Sequence, residues 1–306
     1  MSNSRFVLIV SHIFHPEAIA AAEVAIKQLS AAGIVPVMTE SNHQDFIQAN
    51  GASKGGDADV KILGKDCQLD DLELAMVVGG DGTILKAAEI VRETNVPLLG
   101  INLGHVGFLA ESEKDEFAQA VKRVVDRDYA IDDRMALDVS VIVEGKNVYS
   151  TWALNEATVE KSARERMLEV VIEIEAHPLS SFGCDGIVVA TPTGSTAYAF
   201  SAGGPVVWPN VDALLVVPLS AHALFARPLV VNPETTVAIE VLKRSAGQGV
   251  LWCDGRRTHE LPAGARVEVK KSNHSVKLAR LHQGSFTDRL VRKFTLPVEG
   301  WRGTKK

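Results

Sequence analysis

Five consecutive residues, Gly79-Gly80-Asp81-Gly82-Thr83, set one carboxylate among three glycines. They follow an apolar run, Leu74-Ala75-Met76-Val77-Val78, and precede Ile84 to Val91, which reads as an amphipathic helix. A glycine turn between strand and helix lets backbone N–H groups crowd around an anion, and the helix dipole adds to the attraction. A carboxylate in the same cradle costs free energy unless it orients a metal or takes a proton from a nucleophile. Phosphoryl transfer suits the group better than mere nucleotide binding. A plain surface turn is the competing explanation, and the flanking strand and helix weigh against it. The chain has no G-x-x-x-x-G-K-[ST] and no G-x-G-x-x-G, which argues against a Walker-type loop and ordinary dehydrogenase binding.

Two further clusters suit a nucleoside. Cys184-Asp185-Gly186 leads through an apolar strand into Thr191-Pro192-Thr193-Gly194-Ser195-Thr196-Ala197-Tyr198, a hydroxyl-rich turn and a helix-like stretch over Ser195 to Gly203. Thr193, Ser195 and Thr196 offer hydroxyls, Gly194 lets a ligand approach, and Tyr198 can stack on a base. Helix capping by Ser195 or Thr196 is the alternative, and the two roles can coexist. Asp185, just after Gly183-Cys184, stands where a side chain can face a cleft. Asn155-Glu156 sets an amide beside a carboxylate, enough to bind both hydroxyls of a ribose or the polar edge of a base, with surface polarity as the alternative. His12 and His15 follow the first strand and suit a loop near donor phosphate. Asp254-Gly255-Arg256 reads as a hairpin turn, and Lys161 to Arg166 as a solvated charged loop.

The elements that must carry these residues change character along the chain. Phe6 to Val10, Ile34 to Val37, Leu74 to Val78 and Val96 to Asn102 read as strands alternating with helices, one of them over Glu113 to Val125. That order implies an α/β domain with a doubly wound, Rossmann-like parallel sheet over residues 1–133. From Leu137 onward the period is two, around Val139-Val141, Val170-Ile172, Val237-Ile239, Val267-Val269 and Val276-Leu278. A β-rich, sandwich-like second domain over 134–284 follows, with a C-terminal helix within 285–306 returning to the first domain.

Composition narrows the partners. The 306 residues suffice for two domains, and 46% hydrophobic content supports a substantial core. A net charge of -6 argues against a broad nucleic-acid surface. Cys67, Cys184 and Cys253, with no C-x-x-C pair, point to a reducing, cytoplasmic compartment and no zinc knuckle. No apolar run approaches the roughly 18 residues of a membrane span, and no signal-peptide core stands at the start.

Taken together, the three clusters resemble the NAD kinases, which phosphorylate the adenosine ribose of NAD to give NADP. Gly79 to Thr83 matches the family's G-G-D-G-T, Asn155-Glu156 its N-E/D pair, and Thr191 to Tyr198 its T-P-[ST]-G-[ST]-T-A-Y segment. Cys184 to Pro209, His222-Ala223-Leu224-Phe225 and Phe286 to Arg302 look like the actinobacterial branch. The resemblance implies that Asp81 faces the 2′-hydroxyl while Gly79, Gly80, Gly82 and Thr83 hold the donor. It also implies NAD contacts from Gly82, Phe108, Asn155, Glu156, Asp185, Thr193, Thr196, Ala197, Tyr198, Ser201 and His222. Mg²⁺ or another divalent cation would ride on the donor phosphates, with no protein metal site. The donor would be ATP or polyphosphate, and the chain would form a homodimer or homotetramer. Some relatives carry Arg just before the aspartate matching Asp185, and Cys184 stands there in this chain. A lipid or sphingoid kinase, which shares only the glycine motif, and a non-catalytic dinucleotide sensor are the competing functions.

Overall fold

The computed structural model describes residues 4–11, 16–50, 60–103, 107–110, 117–163, 166–281 and 285–298. His12, His15, Arg164, Glu165 and residues 51–59 lie outside them. The chain divides into two compact units, Met1–Asp133 with Val276–Lys306, and Arg134–Ser275.

In the first unit, apolar runs without alternation form strands covered on both faces. They are β1 (Arg5–Ser11), β2 (Ile34–Met38), β4 (Leu72–Val78) and β5 (Leu98–Ile101), with the short, half-buried β3 (Lys61–Ile62) and the exposed β6 (Ala130–Arg134) beside them. Helices α1 (Pro16–Ala31), α2 (Glu40–Asn50), α3 (Asp81–Val91) and α4 (Phe117–Val125) alternate with them. Pro16 opens α1, and Gly33, at φ +75, turns the chain just past its end. The helix expected from Glu113 is described from Phe117, since 111–116 fall outside the described residues.

The chain comes back to this unit as β19 (Val276–Arg280) and α6 (Phe286–Phe294). The sheet order is β3-β2-β1-β4-β5-β19-β6. Strand β1 pairs parallel with both β2 and β4, so the winding reverses between β1 and β4. Ligands of doubly wound sheets sit at the carboxyl ends of the strands at such a reversal. The end of β4 is Val78, so the glycine turn emerges there. The alternation around Val276 and Leu278 had suggested a strand of the second region. Instead β19 pairs parallel with β5, Leu278 opposite Leu98. Period two reports which faces are buried and says nothing about which sheet a strand joins.

The second unit is antiparallel in every strand pair described. Its strands are β7 (Leu137–Val143), β8 (Lys146–Ala153), β9 (Glu156–Lys161), β10 (Leu168–Ile174), β11 (His177–Cys184) and β12 (Gly186–Ala190). They continue with β13 (Leu214–Leu219), β14 (Leu229–Val231), β15 (Val237–Val241), β16 (Gly249–Cys253), β17 (Arg257–Leu261) and β18 (Arg266–Lys271). Two six-stranded sheets result, β11-β10-β15-β18-β7-β8 and β14-β13-β12-β9-β16-β17. Val139, Val170, Ile239 and Val267 of the one pack with Val159, Ile187, Val189, Val216 and Leu251 of the other. Each such side chain contributes about 1.5–3 kcal/mol when fully buried. Val188, Ala190, Leu215 and Val217 form a separate cluster with Ala199 of α5 (Tyr198–Ser201). Two-faced burial explains why Ile187 to Ala190 shows no alternation. Among the described residues no helix is long and apolar enough to cross a membrane.

Candidate functional site

The glycine turn is built on close contacts. Gly79 has φ +156, and a Cβ there would stand 2.5 Å from Thr83 Oγ1, so a side chain is excluded. Its N–H donates to the Ile101 carbonyl at 2.9 Å, tying the turn to the end of β5. The Gly80 carbonyl accepts from Thr83 N–H at 2.9 Å and opens α3. Gly80 and Gly82 are exposed, with open space where a Cβ would be. Asp81 lies in the first turn of α3, where the dipole favours its charge. Its Oδ2 accepts from Phe108 N–H at 3.1 Å and its Oδ1 from Leu109 N–H at 3.2 Å. A Cβ on Gly107 would lie 2.3 Å from Asp81 Oδ1, so this glycine gives the carboxylate its room.

The loop that holds Asp81 is itself held from behind. Arg289 Nη1, on α6, donates to the Phe108 carbonyl at 3.2 Å and to the Ala110 carbonyl at 2.9 Å. Arg280 Nη1, on β19, donates to the Leu109 carbonyl at 3.3 Å. One peptide unit, Phe108–Leu109, therefore carries a guanidinium on its C=O and the Asp81 carboxylate on its N–H. Each partner polarises the peptide in favour of the other. The Phe108 ring packs beside Phe286 and Phe294, at centroid distances of 6.1 and 5.8 Å.

In the second unit the Asn155-Glu156 pair and the Thr191 to Tyr198 segment form one structure. Asn155 and Glu156 are only 9% and 7% exposed, which sets aside surface polarity. The Asn155 carbonyl accepts from Thr191 N–H at 2.9 Å, and Thr191 Oγ1 donates to the Leu154 carbonyl at 2.6 Å. A Cβ on Gly194 would lie 2.0 Å from the Asn155 carbonyl oxygen. The reading of Gly194 as space for a ligand is thus corrected, because the chain's own backbone occupies that approach. Ser195 is engaged too: its hydroxyl contacts the Pro192 carbonyl at 2.6 Å and accepts from Val207 N–H at 2.9 Å. Thr196 Oγ1 donates to the Thr193 carbonyl at 3.2 Å. In place of one helix over 195–203, a 3-10 turn at Thr193–Thr196 leads into the four-residue α5. Ala197 joins them, half-buried, while Tyr198 and Ser201 are exposed.

Strand alternation places Glu156, Thr158 and Glu160 on the face of β9 opposite the core-facing Ala157 and Val159. Tyr198 N–H donates to the Glu156 carboxyl, and burial followed by Glu160 and Glu156 raises the Tyr198 phenol. Burial first, then the Asp254 charge, pushes Glu156 up to about 8. Its Oε2 is buried and makes no hydrogen bond among the described residues. Asp185 and Thr191 flank β12, about 20 Å apart at the usual ~3.3 Å rise per residue. Lys161 pairs with Asp185 and is the main cause that holds its carboxyl below the ordinary range. Lys161 is thus an anchored strand end, not part of a solvated loop. His222, exposed, donates its N–H to the Gly183 carbonyl at 2.8 Å, one turn of chain from Asp185.

Two contributors escaped the sequence reading. Arg289 sits in a charged helix that shows no motif. Asp254 does form the expected β16–β17 hairpin turn, but its side chain points back to the Asn155-Glu156 backbone, about a hundred residues away in sequence. The Asp-Gly that marks a hairpin is no signal of that contact. Among the described residues no group of three or more His, Cys, Asp or Glu side chains could hold a metal ion.

Comparison with known proteins agrees across the chain. Residues 7–129 match the family model of the ATP-NAD kinase N-terminal domain, and 154–281 that of the ATP-NAD kinase C-terminal domain. The NAD kinase of Leifsonia xyli is 58% identical over 303 residues, covering 99% of this chain and 98% of that protein. The NAD kinase of Thermobifida fusca is 55% identical, covering 99% and 93%. Among solved structures, yeast NADH kinase complexed with NADH has a TM-score of 0.87 at 21% identity, covering 100% of this chain and 91% of that one. An Archaeoglobus fulgidus NAD kinase in complex with ATP has a TM-score of 0.69 at 22% identity, covering 96% and 100%. These two show the fold.

Proposed function

The chain belongs to the NAD kinase family, and on that premise we propose how its residues move a phosphoryl group from ATP to the 2′-hydroxyl of NAD. Such transfers have loose transition states, so positioning and charge neutralisation dominate. Asp81 orients the hydroxyl and takes its proton as the new bond forms. The observation that carries this role is the pair of hydrogen bonds from Phe108 and Leu109, which hold the carboxylate at the start of α3. Gly79, Gly80, Gly82 and Thr83 receive the donor phosphates, the exposed Gly80 and Gly82 through their backbone N–H groups. Backbone N–H groups read phosphate and not base, so polyphosphate is a second donor. Mg²⁺ neutralises the donor oxygens. It would come with the donor phosphates and keep several of its waters.

Asn155 and Glu156 bind the adenosine ribose, and Thr193, Thr196, Ala197, Tyr198 and Ser201 the adenine side. Asp185 serves the nicotinamide end, consistent with its distance along β12 from Thr191, and His222 is a further NAD contact. Gly82 and Phe108 complete the NAD contacts. The active form is a homodimer or homotetramer, and the exposed Leu224, Phe225 and Val230 are apolar groups that such an interface would cover. A reducing, cytoplasmic setting suits the free cysteines.

Asp81→Asn tests the central role. Turnover with ATP and Mg²⁺ should fall by roughly 10²-fold or more, the general-base range, with KM for NAD little changed. Near-normal turnover in the purified variant would remove Asp81 from the mechanism. The same assay with polyphosphate, and with a chelator, reads the donor and the cation.

A further inference from the structure

We propose that Asp254 is a positioning residue for the adenosine end of the substrate: its buried carboxylate sets the backbone of Leu154, Asn155 and Glu156 and so aims the Asn155-Glu156 pair at the ribose. The proposal rests on the reading that this pair binds NAD.

The geometry goes beyond what a hairpin turn requires. Strand β16 lies antiparallel to β9 with Cys253 opposite Ala157, which brings Asp254 across from Glu156. Asp254 N–H donates to the Glu156 carbonyl at 3.0 Å. In return its carboxylate accepts three backbone N–H groups. Leu154 donates to Oδ2 at 2.9 Å, and Asn155 and Glu156 donate to Oδ1 at 2.7 and 3.3 Å. Arg257 Nη2 donates to Asp254 Oδ2 and to the Trp152 carbonyl, both at 2.8 Å, and its guanidinium carbon lies 4.6 Å from the Trp152 ring centre. The Asp254 side chain is 1% exposed. Asn or Gly would close a two-strand turn without burying a charge. An ionised carboxylate is acceptor-only, so both oxygens can face donors, whereas the amide of Asn would turn an NH₂ group toward an N–H.

The clamp also has an electrical consequence for Glu156. Facing its carboxyl are Asp254, the Cys253 thiol and the Tyr198 N–H and phenol, with Arg257 on the other side of Asp254. The thiol and phenol are both raised, which leaves the ion-paired Asp254 and Arg257 as the charged groups at the corner; burial raises Asp254 as well, against its backbone donors and Arg257. Glu156 then carries its proton, and its buried Oε2 makes no hydrogen bond among the described residues. Asp254 thus sets where Glu156 stands and which form it presents.

The test compares Asp254→Asn with Glu156→Gln in the full-length enzyme. Asp254→Asn should raise KM for NAD roughly tenfold or more, the scale of a lost charge-assisted hydrogen bond, while KM for ATP stays put. In the unmodified enzyme kcat/KM for NAD should change through a limb near pH 8. That limb should move to lower pH in Asp254→Asn and vanish in Glu156→Gln, which a merely structural turn would not produce. If Asp254→Asn does not fold, Arg257→Lys, which keeps the charge and loses one of two bonds, should raise KM for NAD more mildly. An Asp254→Asn or Arg257→Lys enzyme with unchanged NAD KM and an unmoved limb overturns the clamp. Equal rises in the NAD and ATP values overturn it too. If Glu156→Gln and Asn155→Ala leave NAD binding untouched, the parent reading of the pair falls instead.

Discussion

Glu156 and Asp254 share one buried corner, and hydrogen bonding decides which of them holds the charge. Burial raises both carboxyls, but the Leu154 and Asn155 N–H groups and Arg257 act on Asp254 in the opposite direction. Glu156 has only the Tyr198 N–H against burial and the Asp254 charge. Glu156 therefore takes the proton in the folded chain, while in the unfolded chain it titrates near 4.5. Between about pH 4.5 and 8 the folded state binds a proton that the unfolded state lacks, so stability falls as pH rises through that window. Glu156→Gln should remove a fall on the order of a few kcal/mol, leaving the contribution of Asp254. Urea melts of both proteins at either end of the window read the difference. Identical pH slopes would mean that Glu156 titrates as an ordinary surface acid.

At the scale of elements, α6 acts on α3 without touching it in sequence or motif. Its Arg289 reaches Asp81 through the Phe108–Leu109 peptide. Arg289→Ala should lower kcat roughly fivefold, about one polarised hydrogen bond, and leave KM for NAD unchanged. Arg289→Lys should recover part of the loss, since it restores the charge on the carbonyl. A rise in KM for NAD with normal kcat would break the link to Asp81. This relay also shows where sequence reading stops. The glycine turn was legible because a strand, a glycine run and a helix are contiguous, and Gly79 announces a backbone shape that no other residue takes. The antiparallel sheets were legible because one face of each of β7 and β10 is buried. The hydroxyls of the Thr191 to Thr196 turn were counted correctly as polar groups. Two of their partners, Val207 and the backbone of Leu154, follow from tertiary docking that spacing does not encode. Arg289 and Asp254 act across long separations, and their local neighbours give no sign of it.

For the molecule as a whole, the chemistry of its thiols reports on both units at once. Cys67, Cys184 and Cys253 are buried and free. Burial pushes Cys184 and Cys253 up to about 12 and raises Cys67 as well. The thiolate is the reactive form, so the native enzyme at pH 8 should react only slowly with a disulfide reagent. All three should titrate at once in denaturant. A rapidly reacting thiol in the native state would mean that a strand carrying it opens locally.

The position of β19 has a consequence for how the enzyme is made. It lies inside the parallel sheet, between β5 and β6, yet it follows the whole antiparallel unit in sequence. Until it emerges from the ribosome, the first 133 residues hold two unsatisfied strand edges and cannot complete their core. The antiparallel unit is one contiguous stretch, Arg134–Ser275, and is free to form earlier. A nascent chain halted near residue 275 should therefore be protease-resistant in its middle and sensitive at its beginning, the reverse of the usual order in which amino-terminal regions settle first.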